Sequence, residues 1–458
     1  MGPLPPENSD MEPKTPGVAG FHLLGVAVLL LATPAAIFWR PHLPFFYILD
    51  DWTALIQMTQ YPFWQYLGAP DGEQWFPFFH LIFYGLVRIA GEHYSLLALV
   101  NCLGTGINAF LLFLFLQRHF SSGLALLLSL VYAGQTVHHA IAWNAFYLSY
   151  VLSLGFFLGA LLLTDGYLHS PRFFRLLGIG LCALLSILSH NYTLLGLWAL
   201  PLYVVLLGGS EGRSRFWPLA STVGLVYLAF GLGYYRFAGL SSAASHNLTI
   251  FSSLPGPAYL AHIFLAAIIS PFLYLFWGHY HFPPWAYVAG LMLLAVSLTA
   301  IWWRGGPAEK RLAFWALLVN VLPFFLISLT RYQRSLNQAF VARYGIFTLL
   351  VAIILVGLAW RVLAARLPQR LWFHLVTLAL VLAMAAGQFF SLPLWQKKYL
   401  DMSRAAMICY QQLKHGEGGP GVAAAELYRQ FCPTAHPVLT SSQVGAIGRF
   451  LSGTPKDP

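Results

Sequence analysis

The sequence predicts an all-α polytopic membrane protein, and three observations carry that prediction. Of its 458 residues, 58% are hydrophobic and 9% are charged, against about 25% charged in soluble domains. The mean hydropathy is +0.67. The apolar residues fall in runs of about 16–24, the length of helix that crosses a hydrocarbon core. Aromatics make up 16% of the chain, which suits rings set at both membrane interfaces. In lipid every backbone N–H and C=O must be satisfied within the segment, so runs of this kind are helical.

Taken in order, residues 1–18 are polar and Pro-rich and read as a disordered cytoplasmic lead. The apolar run at 20–38 ends in small residues, Ala32 to Ala36, where a signal peptide would be cut. Its lead carries Glu7, Asp10 and Glu12 against Lys14. That is the wrong charge for a signal peptide, so the run is read as a retained first span. Further spans are expected at 94–117, 121–136, 146–165, 174–189, 193–208, 216–236, 284–303, 312–330, 343–360 and 371–391, about eleven in all.

The stretch 257–278 decides the orientation. As a full crossing it puts the loop of Arg361, Arg366 and Arg370 outside; as a re-entrant or interfacial helix it puts that loop inside. The second choice also places inside Arg118, Arg172, Arg175, Arg213, Arg215, Arg304, Lys310 and Arg311. Outside remain Arg40, Arg88, Arg236, Arg331, Arg334 and Arg343. Cytoplasmic loops carry the Lys/Arg excess, so the N-terminus is expected inside and the tail outside. The same rule accounts for the net charge of +10 without nucleic acid, for which no basic–aromatic stripe appears.

Residues 40–93 then form a large external loop with interfacial helices near 51–66 and 76–90, the second amphipathic. Residues 19–391 form the transmembrane domain and 392–458 a small external tail. Cys102 and Cys182 sit in spans, where a thiol behaves as a small hydrophobe. Cys409 and Cys432 fall in the tail and can form a disulfide if it is external. Asn247-Leu248-Thr249 fits a glycosylation sequon.

Chemistry concentrates at Asp50 and Asp51, directly after the first span. Two acids at a membrane boundary are costly unless solvated or used. Either could cap a helix beginning at Trp52, and helical neighbours point about 100° apart, so one can cap while the other faces a cavity. Arg331, Arg334 and Arg343 gather on the side opposite the positive bias. Guanidinium forks match phosphate oxygens, although snorkelling to the interface is the plainer use. Of sixteen histidines, His138, His139 and His190 are expected near the outer face. His279 and His281 have i, i+2 spacing that can ligate a metal. No GxGxxG or GxxxxGK[ST] appears, and no HExxH.

These motifs, in this order, resemble the GT-C superfamily of membrane glycosyltransferases, which includes protein O-mannosyltransferases, lipid A aminoarabinose transferases and transmembrane O-mannosyltransferases. The acidic pair Asp50-Asp51 opens the first external loop. Pro77 and its flanking aromatics match the segment that follows, where the family's Arg is missing. In GQTVHHAIAWNAFYLSYVLSL, Ala140, Ala142 and Trp143 match, while His139 stands for a Glu and Gln135 for a Pro. His190 and Asn191 stand where Lys and Glu are usual, and Arg343-Tyr344 matches a pair that opens a late span. The resemblance implies a GT-C-like bundle that moves a sugar from a polyprenyl-phosphate donor to a hydroxyl of a protein, lipid or glycan, inverting the anomeric centre.

It further implies Asp50 and Asp51 as catalytic residues, with Arg331, Arg334, Arg343 and Tyr344 on the donor phosphate. Glu73, His80, His138, His139 and His190 become candidate sugar or acceptor contacts. A divalent cation is left open, with Asp50, Asp51 and Glu73 as the available acids. The bacterial inner membrane is the expected location, with the site facing the periplasm or exterior. The rival class is a transporter or flippase of a lipid-linked or amphipathic substrate, for which broken helices in paired halves and polar groups at mid-membrane would be expected.

Overall fold

The computed structural model describes residues 16–43, 46–48, 50–70, 74–237, 256–279, 281–331, 342–366, 371–414, 446–447 and 450–451. Their regular structure is helical. In chain order the α-helices are α1 (Pro16–Phe38), α2 (Asp50–Gln60), α3 (Phe63–Gly68), α4 (Pro77–Ala90), α5 (Tyr94–Leu116), α6 (Ser122–Ala133) and α7 (Val137–Ala142). They continue with α8 (Leu148–His169), α9 (Phe173–Ser189), α10 (Ala199–Leu207), α11 (Gly209–Phe237) and α12 (Pro257–Phe276). The last four are α13 (Pro284–Arg304), α14 (Pro307–Arg331), α15 (Ala342–Ala364) and α16 (Leu371–Lys414). Pro opens α4, α12, α13 and α14, where its missing N–H costs nothing and its fixed φ suits the helix.

Seven described helices are long and apolar enough to cross a membrane: Tyr94–Leu116, Ala145–His169, Gly209–Phe237, Pro257–Phe276, Pro284–Arg304, Tyr344–Ala364 and Leu375–Arg404. The protein is therefore read as a multi-pass membrane protein. Four expected spans are shorter apolar helices, His22–Phe38, Ser122–Ala133, Phe173–Ser189 and Leu195–Leu207. The segment expected to be re-entrant or interfacial is a continuous 20-residue helix, α12. The single helix expected at 51–66 is two, α2 and α3. Pro62 separates them because it disfavours the α conformation at the residue before it. Residues 16–18, read as part of the lead, already belong to α1. Helix α16 runs 44 residues through Pro393, so 392–414 continue a helix. At 1.5 Å per residue it is about twice the hydrocarbon thickness. Asn247 and Cys432 lie outside the described residues, and with Cys432 the expected pairing.

Helices approach closely where side chains vanish. A Cβ on Gly106 in α5 would sit 2.7 Å from Leu31 Cα and 2.9 Å from Leu30 O, so only glycine lets α5 lie on the backbone of α1. Buried amides join further elements. Asn101 Nδ2 donates to Ile141 O (2.8 Å) and Asn144 O (3.0 Å), and Asn108 Nδ2 to Val151 O (2.9 Å). Gln388 in α16 accepts from Thr136 N (2.8 Å) and donates to Tyr274 O (2.8 Å), bringing the ends of α6 and α12 together.

These contacts define two ends of the bundle. At one lie the end of α1 (Trp143 Nε1 donates to Phe38 O, 3.0 Å) and the starts of α2, α5 and α8 around Asp51. At the other, Asp165 near the end of α8 accepts from Tyr203 Oη of α10 (2.7 Å) and pairs with Arg118 (3.5 Å) after α5. Arg361 at the end of α15 donates to His119 O (2.7 Å) and pairs with Glu309 in the first turn of α14. Arg175 of α9 donates to Ser170 O (2.6 Å). Arg118, Arg175 and Arg361, grouped from sequence by counting spans, are thus at one end by direct contact.

Candidate functional site

Helix α2 begins at Asp50, so neither acid caps a helix starting at Trp52. Both lie in its first turn, where a carboxylate meets the positive end of the helix dipole. Their environments differ. Asp51 is fully buried and both of its carboxylate oxygens are engaged. Oδ2 accepts from Ile48 N–H (3.0 Å) and Tyr94 O–H (3.0 Å), and Oδ1 from Phe146 N–H (2.7 Å). The bond back to Ile48 is the reach of an acid in a capping box. The others fasten the first loop to α5 and to the turn Ala145–Tyr147. Tyr94 Oη itself accepts from Ala145 N–H (2.8 Å). Burial pushes Asp51 up to about 7, outweighing the pull of its three donors. Asp50 is half-buried, and its side chain hydrogen-bonds to none of the described residues.

A chain of rings leads from Asp51 to Tyr344. Phe146, whose N–H holds Asp51, packs on Phe76 at 5.6 Å between centroids. Phe76 stacks on His190 (5.8 Å), His190 lies 3.8 Å from the Tyr150 ring, and Tyr150 is 6.3 Å from Tyr344. Tyr344 stacks on Tyr192 (5.4 Å). His80 joins the chain through Phe76 (5.1 Å) and stacks on Tyr66 (4.7 Å), with Nδ1 3.1 Å from Tyr66 O. Burial lowers His80 to about 4, so it is neutral at pH 7. The end of α9 places His190, whose Nδ1 accepts from Tyr192 N–H (3.0 Å).

On the other flank, α7 carries His138 and His139. His138 Nε2 lies 2.8 Å from Tyr132 O. His139 is wholly buried between Phe38 (6.2 Å), Trp143 (6.2 Å) and Tyr399 of α16 (6.0 Å). Trp143 O lies 3.1 Å from Tyr94 Oη. Asp51, His80, His138, His139, His190 and Tyr344 therefore share one end of the bundle. Arg331 ends α14 and Arg343 lies in the first turn of α15, next to Tyr344. Glu73 and Arg334 lie outside the described residues. His279 Nδ1 accepts from His281 N–H (3.3 Å), and no group of three His, Cys, Asp or Glu that could hold a metal ion occurs among the described residues.

Sequence reasoning passed over several residues here. Tyr94 is the side chain that grips Asp51, yet a tyrosine opening a span is what any interface carries. Tyr150 and Tyr192 are hidden for the same reason. Asp165 had a signal, since a lone acid inside a span marks a site by default. The chain matches no protein-family model, and no curated protein shows significant similarity to it.

Proposed function

We propose that this protein is a GT-C-type membrane glycosyltransferase, with Asp50 as its general base. The contrast between the two acids carries the reading. Asp51 has both carboxylate oxygens held by three donors and is a positioning residue, whereas no described residue holds the Asp50 carboxylate. In transfer, the acceptor oxygen bonds to the anomeric carbon as the carbon–phosphate-oxygen bond breaks, and Asp50 takes the hydroxyl proton. Negative charge then develops on the departing polyprenyl phosphate, and Arg331, Arg334, Arg343 and Tyr344 are the groups that receive it.

Under this reading the chain crosses the membrane about eleven times. The Asp51 end faces the periplasm or exterior of a bacterial inner membrane, and the Arg118–Arg361 end faces the cytoplasm. The grouping of Arg118, Arg175 and Arg361 at the end opposite Asp51 supports that orientation. A transporter or flippase would draw on Asp165, the buried acid of α8. Its bonds to Tyr203 and Arg118 tie helix ends together at one face.

The test is incubation of the full chain in nanodiscs with a polyprenyl-phosphate hexose and candidate hydroxyl acceptors. Acceptor-dependent release of polyprenyl phosphate is expected. Movement of intact lipid-linked sugar across proteoliposomes, without such release, would replace the enzyme by the transporter.

A further inference from the structure

Beyond α16 the chain comes back to the loop that joins α1 to α5. Its sequence there reads GAIGRFLSG, with Ile447, Phe450 and Leu451 at the i, i+3, i+4 spacing of one helical face. Positions 446–447 and 450–451 are helical, and Ile447 and Leu451 are buried. Phe450 and Leu451 sit against α4 and the turn after it. The Phe450 ring lies edge-on to Tyr84 (5.7 Å between centroids), and the Arg88 guanidinium stands 4.0 Å from the Phe450 ring centre. Arg88 also donates to Tyr84 Oη (3.3 Å), so it is held by both rings. Gly91 ends α4 with φ +53°, a conformation that favours glycine. A Cβ there would stand 2.7 Å from Leu451 O, so bare backbone is what lets the C-terminal residues come this close.

Two short paths lead from this seat to the candidate site. Gly91 O accepts from Tyr47 Oη (2.7 Å), Tyr47 packs edge-on against Tyr94 (5.0 Å), and Tyr94 donates to Asp51 (3.0 Å). Tyr84 packs on Tyr66 (5.9 Å), which stacks on His80. The end of α16 touches the same loop at a second place, where Ser403 Oγ lies 3.5 Å from Phe46 O. One cation–π pair and a few apolar side chains are small against the packing of the whole bundle. Such a segment can leave its seat in a local opening that spares the rest of the fold. We propose that Ile447, Phe450 and Leu451 form a clasp on the α1–α5 loop. Seated, the clasp fixes the α4–α5 turn, Tyr47 and so Asp51; released, it loosens that end while the bundle stays folded. The clasp rests on these contacts and not on the glycosyltransferase reading. It also puts the C-terminus on the membrane face of Asp51, whatever the number of crossings.

Hydrogen exchange in nanodiscs, read by mass spectrometry, tests the clasp by comparing the full chain with Phe450→Ala, Phe450→Tyr and a chain ending at Gly445. The peptides to follow contain Ile48 and Phe146, whose N–H groups hold Asp51. In Phe450→Ala and in the shortened chain their exchange should speed up by about tenfold, the behaviour of a local opening made easier. Exchange in α8 and α15 around Asp165 and Arg361, at the opposite end, should not change. Phe450→Tyr keeps a ring beside Arg88 and should exchange as wild type does. Should the shortened chain fail to fold, the two Phe450 variants decide. Unchanged exchange at Ile48 and Phe146 in Phe450→Ala overturns the clasp. So does equal acceleration at both ends of the bundle, which would make these residues an ordinary part of the global fold. Single cysteines introduced at His42 and at Lys456 should react with an impermeant thiol reagent from the same face of the membrane, and reaction from opposite faces likewise overturns the clasp. Transfer enters none of these measurements, so the clasp and the glycosyltransferase reading stand or fall separately.

Discussion

Asp51 is held as a three-donor acceptor, and a carboxamide cannot reproduce that. In Asp51→Asn the NH2 must face either the Phe146 N–H or the Ile48 N–H and Tyr94 O–H. The substitution should cost about 1–3 kcal/mol of stability, the penalty of a buried unsatisfied group, read from denaturant or thermal unfolding. Its pH dependence has a definite sign. Burial raises Asp51 from 3.8 to about 7, so between those values the folded state binds the proton that the unfolded state has lost. Stability contributed by this group is full below about 4 and is lost as pH rises through about 7. The wild-type advantage over Asp51→Asn should therefore shrink across that window, and an advantage that grows would contradict the burial argument. Arg343 offers a separate test: Arg343→Lys keeps the charge but loses the planar fork, so donor affinity should fall by about 1–3 kcal/mol. Unchanged donor binding in both Arg343→Lys and Arg343→Ala would take Arg343 out of the site. The acidic pair was legible because acids are scarce in an apolar chain. Tyr94 was not, because nothing in its sequence setting separates a grip on Asp51 from an interfacial ring.

At the scale of elements, the glycine crossing of α1 and α5 makes a paired prediction. Gly106→Ala puts a methyl group against the Leu31 backbone, which cannot yield as a side chain can, and should destabilise the protein by about 1–3 kcal/mol. Gly123→Ala in α6 meets nothing within 4 Å and should be neutral or stabilise by about 0.5–1 kcal/mol through helix propensity. Melting curves in one detergent decide both, and equal effects would refute the packing assigned to α5. The long apolar helices were readable, since apolar runs in lipid have no other backbone solution, whereas the short helix α7 was not expected. Helix ends were less so. The break at Pro62 had a local cause that outweighed the amphipathic pattern of 51–66. The continuation of α16 past Ser391 depends on partners distant in sequence: Trp395 Nε1 donates to Gly278 O (2.9 Å), and Tyr399 packs on His139.

For the whole molecule, the separation of two polar ends is the main result. Arg361 reaches His119 O, so the late basic loop joins the early one whatever path α12 takes. Sequence could reach that grouping only by counting spans, where one miscounted helix reverses all that follows; contact between α15 and the α5–α6 turn removes the dependence. With the Asp51 end outside, an impermeant thiol reagent should label a single cysteine introduced at Ser441 in intact cells. Labelling only after permeabilisation would invert the orientation.

The central claim is a division of labour between adjacent acids, and one comparison tests it most directly: transfer from a polyprenyl-phosphate hexose by wild type, Asp50→Asn and Asp51→Asn, each checked for folding and donor binding. Asp50→Asn keeps shape but loses basicity. It should lower turnover by about two to four orders of magnitude, the usual worth of a positioned base, with donor affinity and Tm unchanged. Asp51→Asn should lower Tm and cost less turnover in the fraction that remains folded. Near-normal transfer by Asp50→Asn, with the loss falling on Asp51→Asn instead, would contradict the account.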